Sequence, residues 1–432
     1  MTTYPAASDL VAAMTRPDGT EAHSSMHGRT LDIWENALHY GADPTGVSNS
    51  STAIQAAIDA LPVNGGGVYI PKGKYKITST INMDNYVSLR GAGQGTCLVP
   101  QTGANPMIKV DTKSGTRIEH MNIGAPLGDL SLLPTATGEA VYLTGGVGGQ
   151  NDNHITDVLF VGMQGTSTYA LKIENNLEVM VSRCHFYGCH GGGITFTGNA
   201  NAGVVRDCLM SNTGLGALSA IFIEQVDGIG VYGTVIEAWA GDYGINVYGS
   251  LHCTIEGNWF EDNIGPAIHS DTSHNLKIIG NNIQGAVTFE RTHYSAIIAG
   301  NNLSTGNITL STDSAAATNG CNYFLTGNSW TGASLVDNTN SSRDSVVMIS
   351  DRDQTGGGAN THRGLVVYKG PFDHRGDKVG FFGVTPAARA SAYTVTNVSA
   401  DRAYDANATT TDELADVLGT LIADLKLYGL LQ

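Results

Sequence analysis

The chain has 432 residues, a formal net charge of −16 and 55 glycines, and only 14% of its residues are charged. So acidic a chain is unsuited to nucleic acid as its main partner, because phosphate binding needs a basic surface. Abundant Gly, Asn, Thr and Ser favour many short strands separated by turns over a helical architecture.

The first elements follow an N-terminal segment that we place at 1–30. Ser51 or Thr52 is the expected N-cap of a short amphipathic helix over 53–61, whose apolar residues fall on one face. Three glycines at 65–67 then lead into the strand VYIP and the alternating strand KYKITSTI.

This N-terminal region resembles the signature of the pectate-lyase-like superfamily. The matching elements, in order, are YGADPTG at 40–46, AIQAAIDA at 53–60, GGGVYIPKGKY at 65–75 and LRGAG at 89–93. The resemblance implies an all-β fold, a right-handed parallel β-helix whose open end is covered by an N-terminal capping helix. The superfamily includes polysaccharide lyases, glycoside hydrolases and phage tailspikes, so the resemblance also implies action on a glycan.

Internal repeats support a solenoid. An apolar-then-polar step recurs at intervals of 23 to 27 residues in DVLFVG, RCHFYGC, DCLMSNTG, GTVIEAWAG, GNWFEDNIG and GNNIQG. We take the inward-facing residues of these steps to be Phe160, Phe186, Leu209, Ile236, Phe260 and Ile283. Equivalent positions on successive turns should then be neighbours at strand spacing.

The residues that follow these inward positions should face outward, and two of them are Glu237 and Glu261. Paired carboxyl groups on adjacent turns suit the general acid and base of a glycosidase. The secondary catalytic candidates are Asp242, Asp262, Glu290 and Arg183. The expected sugar-binding residues are Tyr187, Trp239, Tyr243, Tyr248, Trp259, Asn263 and His293.

A lyase would need a cation to neutralise a uronate carboxylate and a base to remove the C5 proton. Arg183, His185 and Tyr187 could share one strand face, since alternate strand residues point the same way. The segment FERTHYSA offers a second set: Glu290, Arg291, His293 and Tyr294. The alternation of any strand around an inward-facing Phe186 also predicts that Arg183, His185 and Tyr187 share a face, without a catalytic role.

The repeat pattern fades after Trp330, so we place the β-helix at 31–340, a connecting region at 341–376 and an association region at 377–432. This tail resembles C-terminal segments of phage tail and fibre proteins. It ends in an amphipathic helix expected at 411–428, with Thr410 or Thr411 as N-cap. The exposed leucine stripe favours a homotrimer, and packing of the helix on its own chain is the alternative.

The sequence thus predicts a tailspike-type polysaccharide depolymerase that hydrolyses a surface or extracellular glycan. A polysaccharide lyase, a fructan-type glycosyltransferase and a non-catalytic glycan-binding fibre remain alternatives. No cofactor or metal site is expected, and the cysteines should be buried thiols. We expect a virion or extracellular location without a Sec signal peptide and without insertion into a membrane.

Overall fold

A computed structural model of the chain describes residues 34–126, 132–145, 151–211, 218–291, 295–311 and 321–338, and shorter stretches at 345–349, 352–353, 362–363, 378–379, 387–388 and 410–427. The segment expected at 1–30 lies outside the described residues. The chain divides into two units, 1–365 and 366–432. The first unit carries the solenoid strands.

Three parallel sheets form the solenoid, and the chain passes through sheets 1, 2 and 3 in that order in each turn. Sheet 1 contains Trp34–Asn36, Gly66–Ile70, Val87–Gly91, the first parts of Arg117–Gly124 and His154–Val161, Met180–Ser182, Val204–Arg206, Gly230–Tyr232, Thr254–Glu256, Leu276–Ile279, Ala296–Ala299, Asn322–Thr326 and Ser345–Ile349, with His362–Arg363 antiparallel to the last.

Sheet 2 contains Thr45–Asn49, Gly73–Ile77, Thr96–Pro100, the second parts of Arg117–Gly124 and His154–Val161, His185–Tyr187, Leu209–Ser211, Val235–Glu237, Trp259–Glu261, Asn282–Gln284, the first part of Asn302–Ser311, Ser329–Trp330 and Arg352–Asp353. Sheet 3 contains Ile81–Asn82, Ile108–Asp111, Val141–Thr144, Tyr169–Glu174, Gly192–Thr197, Ile221–Glu224, Ile245–Tyr248, Ile268–Asp271, Val287–Glu290, the second part of Asn302–Ser311 and Ala333–Asn338. This arrangement confirms the predicted right-handed parallel β-helix.

The solenoid core is built from in-register columns of inward side chains. In sheet 2 the column includes Phe160, Phe186, Met210, Ile236 and Phe260, and none of these is more than 1% exposed. The rings of Phe160 and Phe186 stack at 4.6 Å. Burial of each large apolar side chain contributes roughly 1.5–3 kcal/mol, so these columns hold successive turns together.

One expected inward position is wrong. Met210 pairs with Phe186 and Ile236 and is fully buried, whereas Leu209 lies one residue earlier and on the outer face. Adjacent apolar residues fit either register, and a shift of one residue exchanges the two faces. Ser211 is therefore the outward residue in register with Glu237.

A buried asparagine ladder fixes the turn between sheets 1 and 2. The backbone N–H of Asn258 donates to Oδ1 of Asn281 at 2.8 Å, that of Asn281 to Asn301 at 2.9 Å, and that of Asn301 to Asn328 at 3.0 Å. Their Nδ2 groups donate to carbonyls of the preceding turn. Each amide thus satisfies backbone groups that the turn leaves unpaired.

The N-terminal helix spans Ser51–Asp59, preceded by the 3-10 helix Ala37–Tyr40. Its N-cap is Ser50 and no side chain caps it, so the expected cap at Ser51 or Thr52 is wrong. The hydroxyl of Ser51 is instead a hydrogen-bond acceptor for the backbone of Thr78. Ile54 and Ala57 are fully buried in the solenoid core, as expected of a capping helix.

The solenoid extends beyond the boundary expected at 340, because Ser345–Ile349 and Arg352–Asp353 continue sheets 1 and 2 in parallel. In the second unit, Lys378–Val379 pairs antiparallel with Ala387–Ala388, and the C-terminal helix spans Thr411–Leu427. All six cysteines are buried thiols, as predicted. Among the described residues, no helix is long and apolar enough to cross a membrane.

Candidate functional site

Glu237 and Glu261 lie side by side on the outer face of sheet 2. They are Cα partners on adjacent parallel strands, whose spacing is about 4.8 Å. Both side chains are partly exposed. The two residues are therefore in register on adjacent turns, as predicted, and their catalytic role stays a prediction.

An aromatic side chain orients one of the two carboxylates. The indole Nε1 of Trp259 donates to Oε2 of Glu261 at 2.9 Å, and the Trp259 side chain is 47% exposed. Tyr187 is also exposed and lies in the same outward column as Glu237, with Ser211 between them. Exposed rings beside acidic groups suit the apolar faces and hydroxyl groups of a sugar.

Two of the expected sugar-binding residues are structural. Trp239 is fully buried, and its indole N–H donates to the carbonyl of Leu218 at 2.7 Å, so the prediction of a stacking face is wrong. The left-handed conformation of Ala238 precedes Trp239, and the strand alternation therefore does not continue through this turn. Asn263 accepts from the backbone of Trp239 and donates to the carbonyl of Ile236, which uses both ends of its amide.

Two secondary catalytic candidates, Asp262 and Asp242, lie in turns rather than on the strands of the carboxylate pair. Asp262 is exposed in a left-handed conformation directly after Glu261 and accepts from Nε2 of Gln284 at 3.1 Å. Asp242 is exposed in the turn that leads into sheet 3. Neither residue is in register with the carboxylate pair.

Sheet 3 brings together a second group, which we call the histidine cluster: Tyr243, His269, Asp271, Glu290 and Arg291. Residues 269, 271 and 290 lie on the outer face of adjacent strands, with Asp271 and Glu290 in register. The ring of Tyr243 stacks on that of His269 at a centroid distance of 4.3 Å. Arg291 forms an ion pair with the buried carboxylate of Asp271.

His269 is the buried centre of this cluster. Its Nδ1 hydrogen-bonds Oδ1 of Asn246 at 2.9 Å, which places the proton of the neutral ring on Nδ1 and the lone pair on Nε2. Nε2 is 3.7 Å from Oε1 of Glu290 and has no hydrogen-bond partner in the described part of the chain. Burial lowers the pKa of His269, although Glu290 and Asp271 oppose this shift. The neutral ring therefore presents a basic nitrogen.

The pKa of the Tyr243 phenol is raised, whereas that of His269 is lowered. Burial raises its pKa, and the carboxylates of Glu290, Asp242 and Asp271 add to the effect, so the phenol keeps its proton. Tyr248, another predicted sugar-binding residue, lies in register with Asp271 on the same face. His269 and Asp271 were not among the residues predicted from sequence, although their alternation in the strand IHSD was a usable signal.

The predicted lyase residues are only partly brought together. His185 and Tyr187 share a face, with ring centroids 5.9 Å apart. Arg183 instead has a left-handed conformation in the preceding turn and pairs with Asp157, so strand alternation does not include it. Glu290 and Arg291 join the histidine cluster, whereas His293 and Tyr294 lie outside the described residues.

Two family models match the chain. Residues 34–220 match "Rhamnogalacturonase A/epimerase, pectate lyase-like", and residues 144–335 match "Periplasmic copper-binding protein (NosD)". The chain is 30% identical to mannuronan C5-epimerase AlgE4 of Azotobacter vinelandii over 173 residues, which cover 36% of this chain and 31% of the relative. The match thus spans about a third of that curated relative.

Solved structures share the fold at low sequence identity. The A-module of mannuronan C-5 epimerase AlgE6 of Azotobacter vinelandii has a TM-score of 0.54 and 16% identity, covering 74% of this chain and 100% of the module. The gp42 tailspike of Acinetobacter phage vb_AbaP_AS12 has a TM-score of 0.56 and 11% identity, covering 81% and 69%. These structures share the parallel β-helix fold, and the three-sheet solenoid together with the match at 34–220 is that of the pectate-lyase-like superfamily.

Proposed function

We propose that the chain is a polysaccharide-cleaving enzyme of the tailspike type that hydrolyses glycosidic bonds on the outer face of sheet 2. The observation that carries the proposal is the in-register pairing of Glu237 with Glu261, beside the exposed ring of Trp259. Similarity to tailspikes and to polysaccharide epimerases supports a glycan as the ligand.

The two carboxylates have separate roles in this proposal. Glu261, held by the indole N–H, acts as base or nucleophile, and Glu237 donates a proton to the leaving glycosidic oxygen. The indole N–H can only donate, so it fixes one carboxylate oxygen and leaves the other directed to the substrate. Trp259 and Tyr187 would stack against sugar rings on either side of the cleaved bond.

A panel of neutral and acidic polysaccharides tests this proposal. Hydrolysis releases reducing ends without creating an ultraviolet-absorbing product, whereas β-elimination of a uronate creates an unsaturated, absorbing one. Release of reducing ends alone supports hydrolysis. Binding of a polysaccharide without any product would instead identify a non-catalytic glycan-binding fibre.

A second candidate function is proton transfer at C5 of a uronate, as in a lyase or epimerase. The unpaired Nε2 of buried His269 favours it, because this atom is a base in contact range of Glu290. Tyr243 would return or donate a proton, and Arg291, half-exposed beside Asp271, would attract the uronate carboxylate. Incorporation of deuterium from D2O into the sugar, with or without cleavage, distinguishes this chemistry from hydrolysis.

We also propose that the C-terminal helix assembles three copies of the chain, as part of a virion or extracellular protein. Leu414, Leu418 and Leu421 are exposed and fall at 4-3 spacing, which is the pattern of a coiled-coil seam. The leucine stripe of one copy can pack against the same stripe of the other copies, because it is self-complementary in a parallel bundle.

A further inference from the structure

A pocket of about 300 Å³ opens beside the turn between sheets 1 and 2, several strands before the carboxylate pair. We call it the turn pocket, and its polar lining is Gly93, Gln94, His120, Asp157, Arg183 and His185. Its floor is apolar, because Val158 and Leu159 are buried there. This volume is at the lower end of small-molecule sites and suits a single sugar ring.

Three residues that line this pocket have a left-handed backbone conformation. His120, Asp157 and Arg183 occupy equivalent positions on three successive turns, and all have φ between 51° and 55°. The next turn places Asp207 there, with φ of 54°, and the turns after it place glycine, at Gly233, Gly257, Gly280, Gly300 and Gly327. Glycine adopts this left-handed conformation without strain, and other residues do not. The turn conformation thus brings the ionisable side chains of His120, Asp157 and Arg183 to one pocket, whereas Asp207, in the same conformation on the next turn, lies outside its lining.

The charges of these three residues are arranged around Asp157. Arg183 donates from Nε and Nη2 to the two oxygens of Asp157, each at 2.8 Å, and Nδ1 of His120 is 3.5 Å from Oδ2. Arg183 holds the pKa of Asp157 below its usual range. The Arg183 side chain is nevertheless 56% exposed, so its remaining N–H groups are accessible to a ligand.

His185 adds an unsatisfied polar atom. Its Nε2 is buried and has no hydrogen-bond partner in the described part of the chain. Burial lowers the pKa of this imidazole, which favours its neutral form. Buried polar atoms are rarely left without a partner, because desolvation is then uncompensated. A hydroxyl group of a bound ligand could provide that partner.

We propose that the turn pocket binds one sugar unit that carries a carboxylate, with Arg183 and His120 facing the negative group and His185 facing a hydroxyl. Planar guanidinium groups recognise carboxylates with two parallel hydrogen bonds, but Asp157 occupies one edge of Arg183. The pocket is therefore a site of moderate affinity whose strength Asp157 limits. Its residues are separate from Glu237 and Glu261, and binding there does not depend on cleavage.

The test is calorimetric titration of the full chain with glucuronate, glucose and inorganic sulfate. We expect glucuronate to bind, and glucose and sulfate to bind at least about 10-fold more weakly, because each lacks one of the two recognised features. Arg183→Gln should weaken glucuronate binding by about 10-fold or more. The matched change Arg206→Gln, one turn away and outside the pocket, should change the dissociation constant less than about twofold.

The substitution Asp157→Asn should strengthen glucuronate binding, whereas Arg183→Gln weakens it. Removing the competing carboxylate frees the second edge of Arg183, so glucuronate should bind about threefold more tightly or better. A merely structural ion pair would give no gain in affinity on its removal. The proposal is overturned by equal binding of sulfate and glucuronate, by no glucuronate binding, by equal losses in the Arg183 and Arg206 variants, or by weaker binding in Asp157→Asn.

Discussion

The indole of Trp259 and the carboxylate of Glu261 are joined by a 2.9 Å hydrogen bond on the exposed face of sheet 2. The two residues belong to the same strand, with Phe260 between them facing the core. One ring therefore both orients a candidate catalytic oxygen and offers a stacking surface.

Trp259→Phe separates these two roles. Phenylalanine keeps an aromatic face but cannot donate to Glu261, so we expect kcat to fall about 10-fold while KM changes little. Trp259→Ala should also raise KM, because the stacking surface is lost. Steady-state kinetics on a cleaved polysaccharide measure both constants, and an unchanged kcat in Trp259→Phe would contradict the orienting role.

Substitution of the carboxylate pair should abolish hydrolysis. Glu237→Gln and Glu261→Gln keep side-chain shape but remove proton transfer, so we expect each to lower kcat by about 100-fold or more. Glu256→Gln, an exposed glutamate on sheet 1, is the matched control and should keep full activity. Near-native release of reducing ends by both variants of the pair would refute the catalytic assignment.

The asparagine ladder should be a strong contributor to stability. Asn281→Ala removes the acceptor of the Asn258 backbone N–H and the donor to Ile255, leaving buried polar groups unpaired. We expect a loss of about 2–4 kcal/mol in the free energy of unfolding. Asn302→Ala, exposed on the neighbouring turn, should cost less than about 1 kcal/mol. Chemical denaturation compares the two, and equal losses would argue against the ladder.

Two partly or fully buried histidines, His185 and His269, should make the solenoid less stable in mild acid. Burial lowers the pKa of His185 and His269 from the ordinary value of 6.5. As pH falls below 6.5, the unfolded chain gains protons that the folded chain does not, so each histidine lowers stability by up to about 1.4 kcal/mol per pH unit until its folded pKa is reached. Thermal midpoints measured between pH 7 and pH 5 should decline less steeply in His185→Gln. An unchanged slope in this variant would contradict the burial effect.

The apolar stripe of the C-terminal helix should determine assembly. Leu418→Lys places a charge in the proposed seam, and we expect the trimer to dissociate to monomers in light-scattering measurements. Ala423→Lys, exposed on the same helix but outside the 4-3 stripe, should leave the trimer intact. A wild-type chain that is monomeric at micromolar concentration would refute the trimer directly.

The resemblance of the N-terminal signature implied the fold, and the repeat length then predicted the pairing of Glu237 with Glu261, because strand spacing converts one turn of sequence into a contact. The repeat pattern predicted the wrong inward residue at Leu209 and Met210, where two adjacent apolar residues fit either face. It also failed at Trp239, since turns between sheets do not preserve alternation. The histidine cluster depends on such turns, so strand periodicity alone could not assemble Tyr243 with His269.

The asparagine ladder has a mechanical consequence. Because each amide bonds groups of its neighbouring turns, the stability of one turn depends on the next, and the solenoid behaves as a chain of coupled units with nearest-neighbour cooperativity. Loss of the Asn281 amide would therefore weaken the contact between neighbouring turns rather than one turn alone. Force applied along the axis should open the solenoid there first, releasing the turns on either side in two separate steps.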